Sequence, residues 1–160
     1  MHTIGDGEEI LRQGQREVSL LVACETVSVI RARYPAGDRV AGAHVHAHHT
    51  DAFYVLEGEL TFTIGNEGRT VTASRGTLVA VPPGVSHSFR TSGIGSARWL
   101  TIHARDGGFA SFMRGLRDGV DVRWDVSPVP VDRGAPASTV IVSRGSVATS
   151  SRGNRDRTEP

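Results

Sequence analysis

The chain carries seven histidines, and four of them, His44, His46, His48 and His49, fall within six residues. A fifth, His87, follows a Pro82-Pro83-Gly84 turn. Imidazole is the commonest protein ligand for Zn, Fe, Ni and Cu. On a strand, residues i and i+2 point to the same face. His44 and His46 can therefore hold one ion together, with Asp51 and His87 closing the site. Three imidazoles and one carboxylate leave one or two positions open on a five- or six-coordinate ion, and an open position separates a working site from a closed structural one. His48 and His49 lie in the connection between two inward-facing rows, where the expectation is solvated loop histidines.

The elements that must position these groups read as short strands broken by turns. Val18–Cys24 is an apolar run, and Thr26–Tyr34 alternates with Val27 and Val29 on one face. Asp51, Phe53 and Val55 repeat every second residue, and Leu60, Phe62 and Ile64 alternate with threonines. Gly65-Asn66-Glu67-Gly68 reads as a hairpin turn. Further strands are expected from Val71, at Thr77–Val81, at Ser86–Phe89 and at Arg98–His103. Many short strands with Gly and Pro turns argue for an all-β barrel or sandwich. Phe109, Phe112, Met113 and Leu116 then sit at helical spacing, the face of a short helix expected to pack on the barrel.

Period-two alternation also nominates a pocket. Phe53 and Val55 follow Asp51 inward, Phe89 follows His87, and Thr91 comes next at the rim. Phe62 and His103 complete the candidates, and apolar walls of this kind suit a small aromatic ligand.

Composition narrows the function. A formal charge of +1 gives no field for steering nucleic acid or acidic lipid. All 18 basic residues are Arg, so a Schiff-base lysine is excluded. Cys24 is the only cysteine, so no internal disulfide or cysteine-based metal site can form; it is expected as a small buried residue. No apolar signal core or membrane span is legible, and a cytoplasmic protein is the expectation.

The two constellations His44-x-His46-x4-Asp51-x6-Gly58 and Gly76-x5-Pro82-x-Gly84-x2-His87 resemble the paired motifs of the cupin superfamily. The segment Phe53-Tyr54-Val55-Leu56-Glu57-Gly58-Glu59-Leu60 is especially typical. Three positions depart. Asp51 stands where the family has Glu, Thr91 where it has Asn, and Gly37 lies one residue further out than the usual leading glycine. A carboxylate one methylene shorter falls back by roughly 1 to 1.5 Å, so Asp51 ligates through an inward shift of its strand, reaches the ion through a bridging water, or stays unbound and free to act as a base.

The resemblance implies a cupin β-barrel (jelly roll, or double-stranded β-helix) with a short C-terminal helix and an extended tail. The expected organisation is an N-terminal segment at 1–17, the barrel at 18–104, a helix and extended extension at 105–143, and a flexible tail at 144–160. The run Ile102-His103-Ala104-Arg105-Asp106-Gly107-Gly108-Phe109 and the segment 130–138 resemble the small, single-domain, quercetin-dioxygenase-like cupins. That likeness implies one divalent transition metal (Fe, Mn, Ni, Co, Cu or Zn) held by His44, His46, Asp51 and His87. It also implies O2-dependent oxidation of a small aromatic or enol substrate, with Asp51 as the catalytic carboxylate. The same scaffold serves non-redox isomerases, cyclases and lyases, and non-catalytic sensors that bind a small molecule. A homodimer is expected, with no nucleic-acid or membrane partner.

Overall fold

A computed structural model describes residues 6–128 and the backbone of residues 141–144. Among the described residues two antiparallel sheets face each other. The larger has seven strands in the order β1-β2-β3-β10-β5-β8-β12, the smaller five in the order β11-β4-β9-β6-β7. The strands of the first are Glu8–Gln13 (β1), Arg16–Cys24 (β2), Val27–Tyr34 (β3), Thr50–Glu57 (β5), Thr77–Val81 (β8), Ala97–Ala104 (β10) and Ile141–Arg144 (β12). Those of the second are Arg39–Val45 (β4), Glu59–Ile64 (β6), Arg69–Ser74 (β7), His87–Thr91 (β9) and Ser127–Pro128 (β11). Among the described residues one helix, α1, spans Phe109–Asp118. The molecule is all-β, the double-stranded β-helix expected.

Alternation sorts the side chains. Asp51, Phe53 and Val55 on β5, Leu60, Phe62 and Ile64 on β6, and Trp99, Thr101 and His103 on β10 are all buried. On β3 the buried row is Ser28, Ile30 and Ala32, the opposite face from Val27 and Val29. The register with β10 requires this: Thr101 stands opposite Ile30 and Trp99 opposite Ala32, and all four point inward. An aromatic cluster fills the barrel, with Phe53 between Phe62 (5.0 Å) and Phe89 (4.8 Å) and Trp99 edge-on to Phe89 (5.9 Å). Each such buried ring contributes on the order of 1.5 to 3 kcal/mol.

The sheet begins earlier than the apolar pattern suggested. β1 pairs with β2 from Glu8↔Leu20 to Gln13↔Arg16, although its sequence, EEILRQ, has only Ile10 buried. An edge strand with one covered residue leaves almost no hydrophobic period to read.

Gly58 joins β5 to β6 at φ +70°, and a Cβ there would lie 2.4 Å from the Ser96 carbonyl oxygen. Only glycine fits. Gly107 and Gly108, both at positive φ, end the run after β10, and the Asp106 carboxylate accepts from Gly108 N (3.1 Å) and Ala110 N (2.9 Å) at the start of α1. Arg114 and Arg117 of α1 both donate to Glu8, fixing the helix to β1. Cys24 is exposed rather than buried, because it falls at the ragged end of β2 beyond a register shift between Leu20 and Val22. The tail expected at 144–160, apart from the backbone of Arg144, lies outside the described residues, as do residues 129–140.

Candidate metal centre

Two strand pairs, one in each sheet, deliver four of the site groups. In the smaller sheet β4 and β9 set His44 opposite His87. In the larger, β5 and β10 set Asp51 opposite His103. The sheets face each other, so these pairs meet at one end of the barrel. His46 follows the last residue of β4, and its carbonyl accepts from Gly84 N (2.8 Å), which ties it to the Pro82-Pro83-Gly84 turn ahead of His87. The ligand atoms of His44, His46, Asp51 and His87 all lie within 4.8 Å of one another.

The outer nitrogens decide what the inner ones can do. Nδ1–H of His44 donates to Gly42 O (2.7 Å), that of His87 to Val85 O (3.2 Å), and that of His46 to Asp125 O. A carbonyl oxygen only accepts, so each neutral ring carries its proton on Nδ1 and presents a bare Nε2 lone pair inward. His46 Nε2 and His87 Nε2 stand 3.1 and 3.2 Å from Asp51 Oδ2. Lone pair facing lone pair at that distance is repulsive unless a cation lies between them. Ligands about 2.1 Å from one ion are themselves roughly 3.0 to 3.4 Å apart, so the donor set fits a transition metal. Ligating histidines commonly hand their other N–H to a carbonyl or carboxylate, as these do.

The electrostatics suit the same purpose. Burial pushes His44 down to about 4, with neighbouring His87 adding to the shift, so the ring is neutral near pH 7, as a metal ligand must be. His103 is likewise pushed down to about 4, chiefly by burial. Burial alone would raise Asp51, but the imidazoles packed around it, His103 first and then His46, His49 and His87, outweigh it and hold the carboxyl well below its usual range.

Two residues join the site against or beyond the sequence reading. His49 is not a solvated loop residue: it is 1% exposed, with Nε2 3.1 Å from Asp51 Oδ1 and Nδ1 2.9 Å from Asp125 Oδ2. His48 is exposed, as expected. Asp125 had no signal at all, lying 74 residues past Asp51 in a segment without periodicity. Its carboxylate accepts from Ala47 N (3.0 Å), His48 N (2.7 Å) and His49, while its own N–H donates to Gly107 O (2.9 Å). Gly107 permits this approach, since a Cβ there would lie 2.9 Å from His49 Nδ1. The strap around Asp125 thus sets the tautomers of both His46 and His49.

A cavity of about 530 Å³ opens onto the cluster, reaching His44, Asp51 and His103. Its walls include Phe53, Phe89, Trp99, Phe109 and Trp124. Phe112, Met113 and Leu116 line its mouth, so α1 both packs on the barrel and covers the cavity. Three expected pocket residues do not line it. Val55 and Phe62 are fully buried deeper in the core, because the inward row descends away from the metal end. Thr91 instead pins a turn, its hydroxyl donating to Pro35 O (2.6 Å) and accepting from Asp38 N (2.8 Å).

Two facing sheets around a cluster of histidines and a carboxylate define a double-stranded β-helix protein with a candidate metal centre at one end. Residues 30–103 match the family model described as a cupin domain, and this segment of the chain is a cupin domain. Over 91 residues it is 31% identical to a quercetin 2,3-dioxygenase of Bacillus subtilis, a match covering 54% of this chain and 26% of that protein. The chain thus spans about a quarter of that relative's length. A predicted oxalate decarboxylase from Thermotoga maritima is similar in structure (TM-score 0.51, 26% identity, 58% of this chain and 83% of that one). So is a polyketide cyclase from Streptomyces resistomycificus (TM-score 0.53, 20% identity, 64% and 78%). Among the described residues no helix is long and apolar enough to cross a membrane.

Proposed function

We propose that the protein is a metal-dependent, dioxygenase-like enzyme acting on a small aromatic or enol-type molecule. The observation that carries this reading is the set of inward Nε2 lone pairs around Asp51 at the polar end of an aromatic cavity. His44, His46, His87 and Asp51 would hold one divalent ion, which supplies Lewis acidity toward an enolate oxygen and, if redox-active, a route to O2. The chain's own residues do the rest. Phe53, Phe89 and Trp99 stack or cradle a flat substrate, and Phe112 and Leu116 on α1 keep the mouth apolar and exclude water.

Asp51 faces imidazoles with both oxygens and is held well below its usual range, so it serves as an anionic ligand and is a weak base. A site without a strong base favours substrates that ionise readily by themselves, such as acidic enols and phenols. The relationship to quercetin 2,3-dioxygenase supports this choice among the cupin chemistries.

Oxygen uptake by the protein loaded in turn with Fe2+, Ni2+, Mn2+ and Co2+, offered flavonols and β-diketones, tests the reading. Metal-dependent uptake with at least one pair is expected. No uptake with any pair overturns the dioxygenase assignment, and turnover of a substrate without O2 consumption would replace it by the isomerase, cyclase or lyase reading.

A further inference from the structure

Asp51 has two oxygens, and the metal reading above uses only Oδ2. Oδ1 faces the other way, toward His49 Nε2 at 3.1 Å and His103 Nε2 at 3.2 Å. We propose that His49, His103 and Asp51 form a second cation site, with Asp51 bridging two divalent ions in one barrel. The inference rests on the first site also binding metal.

The chemistry of the three groups supports it. His49 Nδ1–H is claimed by the Asp125 carboxylate, which only accepts, so in the neutral ring His49 Nε2 is a bare lone pair aimed at another lone pair on Asp51. Among the described residues neither His49 Nε2 nor Asp51 Oδ1 has a hydrogen-bond partner, although both are buried, and His103 Nδ1 is also without one. Orphaned buried polar atoms are rare and call for an explanation. A cation touching His49 Nε2 and Asp51 Oδ1 supplies it for two of the three. The carboxylate–histidine arrangement Asp125–His49 is the one that orients metal-bound imidazoles elsewhere. Two histidines and one carboxylate are moreover the donor set of open-sided iron sites.

The competing explanation is a proton. His49 is raised above its ordinary value: burial opposes this, but the Asp51 and Asp125 carboxylates outweigh it. An imidazolium shared between two carboxylates would remove the same clash with no second metal, and the two cases differ in stoichiometry. They differ for the substrate as well. Two divalent ions against Asp51 and Asp125 leave an excess of two positive charges. His103 and Asp51 both border the cavity, so that excess favours an anionic ligand there.

The test uses the full chain, purified without a metal-affinity tag, stripped with chelator and dialysed against Co2+. Elemental analysis should give two Co2+ per chain in the wild type. It should give one in His49→Ala and one in His103→Ala. Low-temperature EPR of the wild type should lose intensity as the second equivalent fills, because a bridging carboxylate couples the two ions. That measurement needs no variant, so it stands even if a substitution prevents folding. One Co2+ per chain, unchanged by either variant, overturns the second site and leaves the proposed function intact. Two equivalents that persist in both variants, or that show no coupling, also overturn it. No Co2+ at all overturns both readings.

Discussion

Asp125 is the residue on which the site's integrity turns, and its removal has a calculable effect. In Asp125→Ala the carboxylate loses three donors. One, His49 Nδ1–H, belongs to a fully buried ring, and a hydrogen bond to a charged acceptor in that setting contributes about 1.5 to 3 kcal/mol. The other two, Ala47 N and His48 N, belong to exposed residues, so water replaces the carboxylate and the loss is roughly 0.5 kcal/mol each. The backbone oxygen that accepts from His46 Nδ1 is untouched by the substitution. The expected destabilisation of metal-free protein is therefore about 3 kcal/mol, read as a lower urea midpoint at unchanged slope. Asp125→Asn keeps an acceptor and loses the charge, so it should fall between Asp125→Ala and wild type. Loss of the carboxylate that orients His49 should weaken binding of the second metal equivalent by about 10- to 100-fold. An Asp125→Ala protein with wild-type urea midpoint and wild-type metal affinity would refute the strap as the organiser of the site.

Other outcomes follow from the same geometry. Gly58→Ala and Gly84→Ala have similar positive φ but different surroundings: the first meets the Ser96 carbonyl, the second nothing within 4 Å. Denaturant unfolding should show a loss of about 3 kcal/mol or more for the first, and only the backbone cost of roughly 1 to 2 kcal/mol for the second. For metal-free protein, His44 and His103 are held near 4 when folded against 6.5 unfolded, so their stability contribution is complete above pH 6.5 and lost as pH falls toward 4. Either ring alone then accounts for on the order of 3 kcal/mol by pH 4. His49, raised when folded, acts oppositely: its contribution is present below pH 6.5 and lost as pH rises through the folded value. Urea midpoints should therefore peak near pH 6.5, and a midpoint that rises steadily from pH 6.5 down to pH 4.5 would contradict the assignment. Phe112→Ala removes a ring stacked on Trp124 at the cavity mouth (5.1 Å, 21°). Fluorescence titration with a flavonol should show roughly 2- to 12-fold weaker binding, and unchanged affinity would place the ligand elsewhere.

Much of the barrel was legible because half-buried strands carry their orientation in a period of two. Leu60, Phe62 and Ile64 or Asp51, Phe53 and Val55 can face only one way together. β3 shows the limit of that period: Val27 and Val29 share a face as expected, but the core face is the one that carries Ser28, Ile30 and Ala32, which apolarity alone does not single out. β1, with one buried residue, had no period to read.

The sequence by itself determined the ligand types and their local spacing, because strand alternation and a rigid Pro-Pro-Gly turn act over a few residues. Whether His103 faced inward waited on its register against Asp51, a pairing across 52 positions of chain. The role of His49 waited on Asp125, which arrives from the far side of α1 and approaches only because Gly107 lacks a side chain. Proton positions on the imidazoles depend on acceptors such as that one. The tertiary structure alone therefore decided which nitrogens point bare toward Asp51, and that Asp51 has two faces to offer.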